Sequence, residues 1–122
     1  MKPRILIVED EEGYRDLLSR ILKRAGFEVL SAGSGTQGKE LLQKTPVDMA
    51  VLDWNLPGMD GGQLASWIRK NPKLGHLPVL MLTVRRTPDE ETLGFASGAD
   101  DYLTKPYTPT ELVSRIKRLL AV

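Results

Sequence analysis

Short, uninterrupted runs of apolar residues constrain the fold of this chain more than any other feature. The runs at residues 5–8 and 79–82 contain no polar side chain. Strands of this kind are buried on both faces, which is typical of a parallel sheet covered by helices. Residues 27–32, 47–52 and 100–104 complete a set of five predicted strands. Parallel neighbours need crossover connections, so the segments between the runs must pass over the sheet.

Segments of helical periodicity fill these connections. The first helix is predicted to end at Gly26, and its apolar face to comprise Tyr14, Leu17, Leu18, Ile21, Leu22 and Ala25. A second helix is predicted to include residues 41–42. The glycine-rich stretch 53–62 is predicted to be a loop, and a third helix follows it. Thr-Pro-x-Glu capping boxes at 87–90 and 108–111 predict the starts of a fourth and a fifth helix. Alternating strands and helices, with right-handed crossovers, predict a doubly wound α/β domain.

Composition narrows the function of such a domain. The 122 residues suit one domain over 1–122, and we expect no effector domain in this chain. The chain has no Cys and one His, which excludes disulfides, thiolate nucleophiles and Cys- or His-rich metal sites. A net charge of +1 argues against direct binding of nucleic acid. No apolar run is long enough for a membrane span or a secretory leader, so we expect a cytoplasmic protein without a membrane partner.

Polar side chains follow the predicted strands where ligands bind in doubly wound sheets. These strand-end residues are Glu9, Asp10, Asp53, Thr83 and Lys105. Carboxylates that converge there need a cation, because two charges 4 Å apart repel by about 4 kcal/mol at an effective dielectric constant of about 20. Lys105 supplies one cation, and oxygen ligands without His or Cys suit Mg²⁺. A carboxylate nucleophile, a metal, an ammonium and a hydroxyl together suit phosphoryl chemistry.

Each of these residues also has a structural interpretation. Asp53 alone could cap a turn, Thr83 could be an ordinary strand-end hydroxyl, and Lys105 could be a solvated surface charge. Glu9 and Asp10 could be the acidic first turn of a helix. The occurrence of all five at successive strand ends favours the chemical interpretation.

Four sequence motifs resemble those of bacterial response-regulator receiver domains. They are ILIVEDE at 5–11, VLDWNLPGMDG at 51–61, Thr83, and GADDYLTKP at 98–106, so the resemblance covers essentially the whole chain. It implies a flavodoxin-like (βα)5 fold with strand order 2-1-3-4-5 and helices on both faces. It also implies a two-component signalling switch rather than an enzyme, with self-catalysed phosphotransfer and autodephosphorylation only.

The resemblance assigns a role to each strand-end residue. Asp53 would accept a phosphoryl group from a sensor histidine kinase. Mg²⁺, or alternatively Mn²⁺, would be held by Asp10, Asp53 and the backbone carbonyl of Asn55, with Glu9 acting through water. Thr83 and Lys105 would contact the phosphoryl group, and Thr83 with Tyr102 would form the switch. Asn55 and Arg85 occupy positions that tune the phosphate lifetime.

Two positions depart from the family pattern. Glu9 replaces the usual Asp, and its longer side chain should still reach a metal-bound water. Val84 stands where a small residue is usual, so it should narrow access to Asp53 and alter the rates of phosphotransfer and hydrolysis.

Charged residues near the C-terminus suggest how such a switch would act on its partners. Asp100, Asp101, Glu111 and Arg115 resemble receivers of the winged-helix transcription-factor subfamily, which form homodimers through the fourth helix, fifth strand and fifth helix. Glu91 and Leu93 depart from that subfamily, and Glu91 facing a partner's Glu111 would repel it. A solvated charged face on a stand-alone receiver that acts by protein contact is the alternative.

Two other functions stay open at the sequence level. Residues 33–38 satisfy G-x-G-x-x-G after a predicted strand, as in a dinucleotide-binding domain, although an edge strand would place them away from the ligand-binding point. Asp53-Trp54-Asn55 resembles the nucleophile motif of aspartyl-phosphate phosphatases, but Asn55 stands where the general acid would be.

Overall fold

A computed structural model describes residues 2–84 and 98–121 of the protein. Its strands are β1 (Arg4–Val8), β2 (Glu28–Ala32), β3 (Met49–Asp53), β4 (Val79–Thr83) and β5 (Asp101–Thr104). Its helices are α1 (Glu12–Arg24), α2 (Gly35–Lys44), α3 (Gly61–Lys70) and α4 (Pro109–Leu120). Helix α4 is the fifth helix of the sequence prediction. The predicted helix that starts at the box 87–90 lies outside the described residues, as do Arg85, Glu91 and Leu93.

The five strands form one parallel sheet in the order β2-β1-β3-β4-β5, which confirms the predicted topology. Val8 pairs with Leu52, Asp53 with Leu82, and Thr83 with Thr104. Because all strands run the same way, the carboxyl ends of β1, β3, β4 and β5 meet at one edge of the sheet.

Two apolar clusters cover the two faces of the sheet. Successive residues of a strand point to opposite faces, so Leu6 belongs to one cluster and Ile7 to the other. Helices α2 and α3 contribute Leu42, Leu64 and Ile68 to the first cluster, and α1 and α4 contribute Leu18, Leu22, Leu112 and Ile116 to the second. The expectation of strands buried on both faces is therefore confirmed for the central strands.

The predicted bounds of the loop 53–62 are wrong at both ends. Asp53 is the last residue of β3, and α3 begins at Gly61. The reason is a capping box: the Asp60 carboxylate accepts a hydrogen bond from the Gln63 backbone N–H at 2.8 Å, and the Gln63 side-chain oxygen accepts one from the Asp60 N–H at 3.0 Å. This box fixes the start of α3 next to the end of β3.

The glycines of the G-x-G-x-x-G motif are explained by packing. Ser34 caps α2 by accepting a hydrogen bond from the Gln37 N–H at 3.1 Å. A Cβ on Gly35 would lie 3.0 Å from the sulfur of Met59, and one on Gly38 would lie 3.0 Å from a methyl group of Val8. The preceding strand, β2, is an edge strand. Packing of Gly35 against Met59 and of Gly38 against Val8 of β1 therefore explains two of the three glycines without a nucleotide.

None of the helices in 2–84 and 98–121 is both long and apolar enough to cross a membrane.

Candidate functional site

Three carboxylates converge at the carboxyl edge of the sheet. Asp53 ends β3 and Glu9 follows the adjacent β1, and both are buried, with 4% and 2% of their surface exposed. Asp10, the next residue, is exposed. One oxygen from each of the three lies within 4.8 Å of the others. The structure thus brings together the three acids that the sequence singled out, and we call them the acidic pocket.

Lys105 supplies the positive charge of this pocket. Its ammonium donates to Asp53 Oδ2 at 2.9 Å and to Glu9 Oε1 at 3.3 Å. The backbone N–H of Lys105 donates to the Thr83 carbonyl at 2.7 Å, which anchors the chain directly after β5 to the end of β4. The predicted convergence of Lys105 with the acids is therefore present.

Burial and neighbouring charges shift the pKa values of Glu9 and Lys105. Burial and the neighbouring Asp53 carboxylate raise the pKa of Glu9 to about 7, although Lys105 opposes the shift. Burial alone would lower the pKa of Lys105, but its hydrogen bond to Asp53 and the charges of Asp53 and Glu9 raise it instead. The raised pKa of Glu9 means that Lys105 does not fully offset burial and the charge of Asp53, so a further cation would be stabilised beside Glu9.

The hydroxyl and switch candidates lie on β4 and β5. Thr83 is the buried last residue of β4, and Tyr102 in β5 is buried in the cluster shared with α2 and α3. The exposed Asn55 donates its backbone N–H to Asp53 Oδ1 at 3.0 Å. Asp53 thus receives a hydrogen bond on each of its carboxylate oxygens.

The backbone that carries Glu9 and Asp10 is held by Arg15 of α1. The guanidinium of Arg15 donates to the carbonyl oxygens of Glu9 at 2.9 Å and Asp10 at 3.4 Å. The N–H of Glu9 donates to the Ala32 carbonyl at 3.0 Å. These bonds fix the loop between β1 and α1 while leaving the Asp10 side chain at the surface.

Sequence periodicity placed Tyr14 and Leu17 on the buried face of α1, and this expectation is wrong. They are 50% and 51% exposed. With Val84, Lys105 and Tyr107 they line a cavity of about 560 Å³ beside the acidic pocket. The ring centroid of Tyr14 lies 5.4 Å from the Lys105 ammonium. Helical spacing identifies a face but cannot show which residues of that face line a cavity instead of packing in the core.

The charged residues near the C-terminus have partners within the chain. Arg115 donates to both oxygens of Asp101 at 3.0 Å and to the Tyr102 carbonyl at 3.0 Å, and Arg118 donates to Asp101 at 2.6 Å. Burial opposes ionisation of Asp101, but the Tyr102 N–H and the two guanidinium groups outweigh it and lower its pKa.

The other two residues of the predicted dimer face also bond locally. Asp100 pairs with Arg69 and accepts from the Val79 N–H at 2.8 Å. Glu111 completes the capping box of α4 with Thr108.

The pocket has the donors that a hard divalent cation requires. Its carboxylate oxygens, without His or Cys, suit Mg²⁺, which commonly keeps several waters and binds one or two carboxylates. The exposed position of Asp10 leaves this side of the pocket open to water. The fold and the site therefore define a doubly wound domain with three clustered carboxylates at one edge of its sheet.

Comparison with known proteins agrees with this class. Residues 5–117 match the model of the response regulator receiver domain. The chain is 42% identical over 116 residues to the transcriptional regulatory protein GltR of Pseudomonas aeruginosa, covering 95% of this chain and 48% of that protein. It is 42% identical over 120 residues to the phosphate regulon transcriptional regulatory protein PhoB of Rhizobium meliloti, covering 98% of this chain and 53% of that protein. The chain thus spans about half the length of these relatives.

Solved structures show the same fold. A putative response regulator from Chloroflexus aurantiacus superposes with a TM-score of 0.95 at 38% identity over the full length of both chains. The chemotaxis protein CheY4 of Vibrio cholerae gives a TM-score of 0.94 at 31% identity, covering 98% of this chain and 99% of that one. This chain belongs to the response-regulator receiver family and is related to transcriptional regulators.

Proposed function

We propose that this receiver domain is a phosphorylation-dependent switch in which Asp53 accepts a phosphoryl group from the histidine of a sensor kinase. The observation that carries the proposal is the buried Asp53 carboxylate, hydrogen-bonded to Lys105 at 2.9 Å beside two further acids. An Asp53 oxygen attacks phosphorus, the bond from phosphorus to the imidazole nitrogen breaks, and the electron pair leaves with the imidazole. Lys105 then donates to a phosphoryl oxygen, and the Thr83 hydroxyl donates to another.

A divalent cation belongs to this proposal. Asp10, Asp53 and the backbone carbonyl of Asn55 would hold Mg²⁺ or Mn²⁺, with Glu9 acting through water. The metal would neutralise charge on the transferring phosphoryl group. Asn55 and Arg85 are proposed to tune the lifetime of the phosphorylated state.

The proposed output runs through Thr83 and Tyr102. Movement of Thr83 toward the phosphoryl group would change the packing of the buried Tyr102, and with it β5 and α4. Homodimerisation would use the face formed by β5 and α4, which includes Asp100, Asp101, Glu111 and Arg115. Transcription would be controlled through an attached or partner winged-helix domain. The relatives named as transcriptional regulators support this output. A stand-alone cytoplasmic receiver that acts by protein contact is the second candidate.

The phosphoacceptor is tested by intact-mass measurement. The 122-residue chain is incubated with Mg²⁺ and a small phosphodonor such as acetyl phosphate. One phosphoryl adduct should form in the wild type and in Asp16→Asn, a matched control on the exposed side of α1, but not in Asp53→Asn. An adduct in Asp53→Asn, a second adduct, or none in the wild type would refute the assignment.

Two further measurements separate the alternatives. Repeated turnover of phosphate esters that depends on Asp53 would indicate a phosphatase instead of a switch. Sedimentation with Mg²⁺ and beryllofluoride should show dimers that Asp53→Asn does not form. A species that stays monomeric would favour the stand-alone receiver.

A further inference from the structure

Two kinds of group lie next to the Lys105 ammonium: carboxylates and an aromatic ring. On one side it donates to Asp53 at 2.9 Å and to Glu9 at 3.3 Å. On the other side lies the Tyr14 ring, whose centroid is 5.4 Å away, within the distance at which a ring face attracts a cation. The Lys105 side chain is only 17% exposed between them.

Tyr14 belongs to a helix turn that is tied to the loop between β1 and α1. Tyr14 lies in the first turn of α1, and the next residue, Arg15, bonds to the backbone carbonyls of Glu9 and Asp10. Arg15 therefore ties the first turn of α1, which carries Tyr14, to the loop that bears two of the three acids. Half of Tyr14 is exposed, so burial in the core does not account for an aromatic side chain at this position.

A ring face suits this position better than an oxygen would. An ammonium has three N–H donors, and two of those of Lys105 bond to carboxylates. A carboxylate on the outer side would draw the ammonium away from Asp53. A ring attracts the charge through its quadrupole without competing as a strong hydrogen-bond acceptor.

We propose that Tyr14 is a positioning residue for Lys105: its ring keeps the ammonium directed into the acidic pocket, where it meets the phosphoryl group on Asp53. This inference rests on the proposed phosphorylation of Asp53. Transfer requires Lys105 to shift a hydrogen bond from Asp53 Oδ2 to a phosphoryl oxygen. Without the ring, the ammonium gains orientations toward the cavity lined by Val84 and Tyr107, and the productive orientation is populated less.

Kinetics with a small phosphodonor test this role without any contribution from kinase docking. Tyr14→Phe keeps the ring, and Tyr14→Leu removes it. The rate constant for phosphorylation of Asp53, followed by Trp54 fluorescence and intact mass, should fall about two- to fivefold in Tyr14→Leu, the range expected for an exposed cation–π contact. Tyr14→Phe should stay close to the wild type. Leu17→Ala, which changes the same cavity one turn further along α1, is the matched control and should leave the rate unchanged.

A spectroscopic readout tests the contact independently of phosphorylation. In the metal-free protein, the ring current of Tyr14 should shift the NMR signals of the Lys105 ε-methylene group. The shift should persist in Tyr14→Phe and vanish in Tyr14→Leu. Equal rates and equal Lys105 signals in Tyr14→Leu and the wild type would overturn the positioning role. Failure of the wild type to form any adduct would instead overturn the proposed function, which makes the two failures distinguishable.

Discussion

At the scale of single residues, Gly61 sets the distance between α3 and Asp53. A Cβ at position 61 would lie 2.4 Å from the Asp53 carbonyl oxygen and 2.7 Å from the sulfur of Met81. Gly61→Ala should therefore destabilise the protein by about 2 kcal/mol through overpacking, measured by urea unfolding. Gly13→Ala, also in the first turn of a helix, meets only the flexible end of Glu11 and should be neutral or stabilising. Equal effects of the two substitutions would contradict this account.

Ionisation of Glu9 makes the free energy of unfolding depend on pH. Its pKa is about 7 in the folded protein, above the ordinary value of 4.5, mainly because it is buried. The stability contributed by its bound proton is complete below about pH 4.5 and is lost as the pH rises through 7. Between pH 5 and 8 in EDTA, the wild type should lose roughly 2–3 kcal/mol relative to Glu9→Gln, at about 1.4 kcal/mol for each pKa unit.

Urea unfolding at several pH values measures this difference. Glu12→Gln, which changes an exposed acid of α1, should follow the wild type across the series. Parallel pH profiles for the wild type and Glu9→Gln would show that Glu9 ionises as freely in the folded as in the unfolded chain.

At the scale of elements, Asp101 joins β5 to α4. Its carboxylate binds Arg115 and Arg118, and Arg115 also binds the Tyr102 carbonyl. Because its pKa is lowered, Asp101 contributes stability above its unfolded pKa, and this contribution is lost as the pH falls. Asp101→Asn should cost about 1–3 kcal/mol at pH 7 and much less near pH 3, since the guanidinium groups lose their charged partner. Thermal unfolding at the two pH values measures the loss.

Glu111→Gln is the matched control for Asp101→Asn. It removes a negative charge from the same region, but glutamine can still complete the capping box with Thr108. A loss in Glu111→Gln as large as that in Asp101→Asn would attribute the effect to overall charge rather than to the link between β5 and α4.

Element types were predictable from the sequence because local patterns determine them. Continuous apolar runs identified the buried strands, and the box at 108–111 identified the start of α4. The start of α3 was misplaced because Asp60 and Gln63 form a less conspicuous capping box inside a glycine-rich stretch. The exposure of Tyr14 was not predictable, since it depends on the tertiary packing around α1, which leaves this residue on a cavity wall.

At the scale of the whole molecule, a net charge near zero does not mean that acidic and basic residues are evenly distributed. The charges of the 17 basic and 16 acidic residues almost cancel. Nevertheless, the three acids of the acidic pocket lie together at the sheet edge, with Lys105 beside them. Their convergence was predictable because parallel strands bring their carboxyl ends together. The hydrogen bonds of Lys105 to both Asp53 and Glu9, and the intramolecular partners of Asp101, depend on tertiary distances that no local pattern contains.

The uncompensated charge of the acidic pocket leads to a prediction for the whole fold. Repulsion between Glu9 and Asp53 disfavours the ionised pocket in the metal-free protein, and a cation that binds only the folded chain stabilises the fold by mass action. Mg²⁺ at about 100 times its dissociation constant should add about 2.7 kcal/mol to the free energy of unfolding, and EDTA should remove the gain. Urea unfolding across a Mg²⁺ titration measures it. Asp10→Asn should abolish most of the gain, whereas Asp16→Asn on the exposed side of α1 should retain it. A gain that is equal in the two variants would show that Mg²⁺ acts by general screening rather than by binding in the acidic pocket.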